Sequence, residues 1–111
     1  MAQFDVYPHP VQDIRDSYPY VVQIQSAFLK RPIGIVTVPL ARLAPGSDAV
    51  AVLNPRFEVA GEVVVLETLA TVSFEPGDLR RPVANLRSHA NAIWSALDYA
   101  LHGHYPAVAN P

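Results

Sequence analysis

Cysteine is absent from this chain of 111 residues, which excludes disulfides, iron–sulfur clusters and thiolate zinc sites. The absence fits a reducing compartment, so a cytoplasmic location is the expectation. Basic charge is also scarce. Eight Lys and Arg stand against ten Asp and Glu, for a net charge of −2. Such a chain has no general attraction for nucleic acid, because that needs a basic surface to displace counterions. No apolar run approaches the ~18 residues of a membrane span. The stretch Met1-Ala2-Gln3-Phe4-Asp5 has neither the basic nor the apolar region of a signal peptide. Only five glycines occur, and none of them builds a phosphate-binding loop. There is no Gly-x-Ser-x-Gly turn to present a nucleophile.

What the chain does have is apolar surface and proline. Half the residues are hydrophobic and only 16% are charged. At this length that is one domain with a real core, and some apolar surface left for an interface. Eleven prolines punctuate the chain, each removing a backbone donor and favouring edges and turns. Gln3 to Tyr7 alternates as a strand before Pro8 and Pro10. Val11 to Ser17 is polar and reads as a loop. Tyr18 to Gln25 and Ile33 to Val38 read as strands, the second ended by Pro39, with Leu40 to Leu43 as a short addition. Arg56 to Val59 and Glu62 to Leu66 flank Ala60-Gly61, a tight hairpin turn. Leu69 to Phe74 is a further strand, stopped by Glu75-Pro76-Gly77-Asp78.

The C-terminal stretch changes period. Leu86, Ala90, Ile93, Leu97, Ala100 and Leu101 follow helical spacing on one face, with Arg87, Ser88, Asn91, Ser95 and Asp98 mostly opposite. Asn85 or Ser88 is the candidate N-cap, and Gly103 the candidate C-terminal cap. His102 and His104, with His89 nearby, suggest metal ligands, but a zinc site needs further ligands and an outer shell. The simpler role is a histidine at the negative end of the helix dipole. Ser26, Ser73 and Ser88 find no motif that makes them nucleophiles. Arg80-Arg81 has the chemistry to grip phosphate or carboxylate, although an arginine pair before a proline is commonly a solvated loop. Trp94, Tyr99 and Tyr105 read as core or interface aromatics. Spacing alone ends at a small β-rich domain with no visible active site and a binding role.

Several local patterns, in order, resemble the CcdB family of toxins from bacterial toxin–antitoxin pairs. Gln3-Phe4-Asp5-Val6-Tyr7 is similar to the family's first strand, and Val22-Gln23-Ile24-Gln25-Ser26 to its second. Val36-Thr37-Val38-Pro39-Leu40-Ala41, Pro82-Val83-Ala84-Asn85-Leu86 and Asn91-x-Ile93-x-x-Ala96 complete the match. The resemblance implies a mainly β (α+β) fold: an SH3-like β-barrel with a five-stranded antiparallel sheet, a small second sheet and one C-terminal α-helix. It implies a single domain over residues 1–104, with the helix at about 86–102, and a tail at 105–111.

The resemblance also implies function. The family forms homodimers that bind the A subunit of DNA gyrase and trap its covalent cleavage complex. A cognate antitoxin neutralises the toxin, and the pair binds operator DNA mainly through the antitoxin. No cofactor, metal, catalytic residue or membrane is involved. The family ends in Trp-Gly-Ile, whose paired tryptophans stack on gyrase arginines, a contact worth ~0.5–2 kcal/mol each. Here His102-Gly103-His104 stands at those positions, and only the glycine matches. Asp98 replaces a polar asparagine, while Phe28 and Leu29 keep an apolar contact pair. Ser26 and Leu101 complete the implied gyrase-binding set. Three readings follow: a gyrase poison with altered contacts, a CcdB-like dimer without poisoning that binds an antitoxin or another target, or an mRNA-cleaving toxin on the same barrel, like the PemK/MazF ribonucleases. The last needs an acid/base pair and a phosphate-binding arginine in one groove, and the sequence identifies no such constellation.

Overall fold

A computed structural model describes residues 2–30, 32–43 and 51–103. Its most local feature is the hairpin of β4 (Arg56–Val59) and β5 (Glu62–Leu66). Both turn residues have positive φ, 52° at Ala60 and 80° at Gly61, as a type I′ turn requires. This is the hairpin expected from the sequence, residue for residue. The other strands are β1 (Asp5–Pro8), β2 (Tyr20–Gln23), β3 (Ile35–Arg42), β6 (Val72–Phe74) and β7 (Ala84–Asn85). All pairings are antiparallel, in the order β4-β5-β3-β2-β1-β7, with β6 also on β3. The sheet is nearly closed into a barrel, with one C-terminal helix, as the resemblance implies.

Pro39 does not end its strand. β3 runs through it, paired with β2 at Val21. The carbonyl of Pro39 accepts from the Glu67 N–H at 2.9 Å, so the missing N–H of Pro39 lies on that same edge. There the ladder breaks. β5 pairs with β3 at residues 40–42, and β6 takes over at 35–37. Residues 67–71 fall between the two, with a 3₁₀ turn at Thr68–Ala70 in which Thr68 is buried. The strand expected from Leu69 is therefore shortened to Val72–Phe74. The turn is held by Thr68 Oγ1 donating to the distant Leu53 carbonyl and by the Ala70 N–H donating to that of Glu67.

The helix α1 (Ala90–His102) follows a 3₁₀ turn at Arg87–His89, so regular helix starts later than the spacing predicts. Leu86, just past β7, is tied back instead, its N–H bonded to the Phe4 carbonyl at 2.9 Å. Asn85, not Ser88, meets the start: its Oδ1 accepts the Arg87 N–H at 2.8 Å. Ile93 and Ala96 are fully buried against Val6, Val22, Val38, Leu40 and Leu66. Leu101, in the last turn of the helix, is 77% exposed. The other side of the sheet carries a smaller cluster of Tyr7, Val21, Ile35 and Leu79. No helix among the described residues is long and apolar enough to cross a membrane.

Alternation puts Phe4 inside the first strand, but it sits in a turn before it. Its φ is 72°, a strained value for a bulky side chain. Neighbours hold it there. Its N–H donates to the Gln23 carbonyl at 2.7 Å, its carbonyl accepts from Leu86, and its ring meets Trp94 edge-on at 5.5 Å.

Candidate functional site

The residues implied as a binding surface fall into two groups. The first is the turn after β2. Ser26 Oγ accepts the Phe28 N–H at 3.0 Å, which curls the backbone and leaves Phe28 92% exposed. Leu29 is exposed beside it in sequence, and Ile33, expected to begin a strand, is 95% exposed. Burying such side chains on a partner gains ~1.5–3 kcal/mol each, so the turn is an unspent apolar surface. Alternation could not reveal Ile33 as part of it, because a β-branched run reads as strand until its partners are known.

The second group is the end of α1. Gly103 takes φ 81°, and its N–H donates to the Tyr99 carbonyl at 2.9 Å, closing the helix where the sequence places the cap. Leu101 points to solvent. Asp98 and His102 face each other one turn apart, with 3.9 Å between carboxylate and Nδ1. His104 lies outside the described residues, as does the tail expected at 105–111. Trp94 is half-buried on Phe4 with 41% of its surface free, so it is both packing and surface. The turn and the helix end share no hydrogen bond or ion pair among the described residues.

Other candidate chemistry is not assembled. No three His, Asp or Glu among the described residues converge as metal ligands. Ser73 and Ser88 are exposed, and no described serine is hydrogen-bonded to a histidine. His9 was not singled out by spacing, yet it lines an apolar cavity of about 350 Å³ with Ile14, Tyr18, Val72 and Phe74. Its Nδ1 accepts the Val11 N–H at 3.0 Å and its ring lies edge-on to Phe74 at 5.7 Å. Burial, then the nearby Arg15 guanidinium, push its pKa below the usual histidine value. With Nδ1 accepting that bond, the neutral tautomer that fits carries its proton on Nε2.

Among protein families, the model described as CcdB protein matches residues 3–103. A search among curated proteins found no match.

Proposed function

The chain belongs to the CcdB family of toxins, and we propose that it binds the DNA gyrase A subunit through the turn at Ser26, Phe28 and Leu29 and the end of α1, with poisoning weakened at the helix end. The family is non-enzymatic and works in toxin–antitoxin partnership. The observation that carries the reading is the turn: Phe28 and Leu29, which stand where the family carries an apolar contact pair, are both exposed, Phe28 by 92%. The weakening rests on Asp98 and His102. An aspartate and an imidazole stand at the surface where the family offers an asparagine and a tryptophan, and the smaller ring has less face to stack on a guanidinium.

The active form is a homodimer, since two helix ends must meet gyrase together. A monomer mass at micromolar concentration would count against it. A cognate antitoxin binds the dimer and brings the pair to operator DNA, which agrees with the toxin's net charge of −2. The deciding test mixes the protein with gyrase and plasmid. Trapped double-strand breaks support gyrase poisoning. Their absence with a folded dimer favours the second reading, a CcdB-fold dimer directed to an antitoxin or another target. The feature behind that second reading is His102-Gly103-His104, which keeps only the glycine of the family's terminal Trp-Gly-Ile.

A further inference from the structure

The chain also carries adjacent arginines, Arg80 and Arg81, ahead of Pro82. The two arginines have different fates. Leu79 is buried with Tyr7, Val21 and Ile35, and this anchors the turn on either side of it. Asp78 and Arg80 thereby wall a polar cavity of about 470 Å³, whereas Arg81 does not line it. The turn itself is closed by the Asp78 N–H on the Glu75 carbonyl and the Leu79 N–H on that of Pro76, at 2.9 and 3.2 Å.

The facing wall is the segment from Pro8 to Arg15, contributing Pro8, Pro10, Gln12 and Arg15. Arg15 is half-buried, and its Nε donates to the His9 carbonyl at 2.6 Å. That short charge-assisted bond orients the guanidinium and leaves its two terminal nitrogens unengaged. Neither Arg15 nor Arg80 is ion-paired with any described carboxylate, including Asp78 in the same wall. Two like charges at one cavity repel each other until an anion sits between them, and the planar fork of arginine matches an oxyanion bidentately. We propose that this cavity binds an oxyanion, a phosphate or carboxylate group held between the guanidinium groups of Arg15 and Arg80. Asp78 sets its strength, because a carboxylate on the rim competes with the bound anion. The site shares no residue with the turn at 26–29 or with the helix end, so it stands whether or not gyrase is a target.

The test is an amide and guanidinium NMR titration of the full chain with inorganic phosphate, and separately with acetate, at constant ionic strength set by chloride. Saturable shifts centred on Arg15, Gly77, Asp78 and Arg80 are expected. Arg80→Gln, at an exposed position without a described hydrogen bond, should weaken binding by about tenfold, the scale of one lost charge-assisted bond. Asp78→Asn should tighten it. Tighter phosphate binding assigns the site to phosphate-bearing ligands. Equal or tighter acetate binding assigns it to carboxylates such as acidic side chains. Linear shifts that chloride reproduces, or an affinity unchanged in Arg80→Gln, would overturn the proposal.

Discussion

The Asp98 carboxylate stands 3.9 Å from Nδ1 of His102, one turn along the last helix, and both side chains are more than half exposed. Such i,i+4 pairs are worth a few tenths of a kcal/mol, too little to hold the surface against a better partner. The pair is easily traded for an aromatic contact. His102→Trp combined with His104→Ile, in a chain stopped after residue 104, should therefore strengthen gyrase binding. The expected gain is ~0.5–2 kcal/mol per stacked ring, read by calorimetry or by cleavage-complex yield. No gain would mean that the apolar turn has also diverged from the gyrase surface.

The hairpin turn offers a stability test free of function. Ala60 holds φ at 52° beside Gly61, and a left-handed alanine costs ~1–2 kcal/mol. Asparagine tolerates that conformation, and Asn-Gly is the favoured type I′ pair. Ala60→Asn should raise the denaturation midpoint by about 1 kcal/mol equivalent, with an unchanged denaturant slope. Ala60 and Gly61 are exposed, so no packing change complicates the comparison.

Tyr7 should ionise later than an ordinary tyrosine. It is fully buried, and burial, then the charge and hydrogen bond of Asp5, push its pKa from 10.0 to about 12. The folded state holds that proton more tightly than the unfolded chain does. The contribution is therefore complete below pH 10 and is lost as pH rises toward 12. Tyr7→Phe should remove this alkaline loss relative to the parent, seen by comparing unfolding free energies across that window. Tyrosinate absorbance should show one late step in the parent that the variant lacks.

His9 acts in the opposite direction on the acid side. Its folded pKa lies below the ordinary 6.5, first from burial and then from Arg15. The unfolded chain therefore binds the proton first. The stability at stake is present above pH 6.5 and declines as pH falls from there to the depressed folded value. Protonation would also take the Nδ1 lone pair from the Val11 N–H. His9→Asn, which keeps a nearby acceptor but cannot be charged, should flatten the stability profile below pH 6.5. A profile unchanged by the substitution would show that His9 is not a source of the acid sensitivity.

Much of this architecture is legible from local chemistry. Alternation marks the hairpin of Arg56–Val59 and Glu62–Leu66 to the residue, because both strands and the turn obey short-range rules. Helical spacing and Gly103 mark the end of the helix for the same reason. Collinear strand patterns identify the CcdB family over residues 3–103. The tertiary structure alone decides what depends on partners distant in sequence. It carries β3 through Pro39, because the missing N–H falls at the handover from β5 to β6. It leaves Leu101 and Ile33 in solvent, since burial is a property of what faces a side chain and not of its hydropathy. It bends Phe4 to positive φ, because hydrogen bonds to Gln23 and Leu86 and the Trp94 ring together hold a conformation that no local preference favours. It also brings Arg15 and Arg80 to one cavity across 65 residues of chain. A chain's local preferences act over a few residues, and only the nearly closed sheet joins groups so far apart.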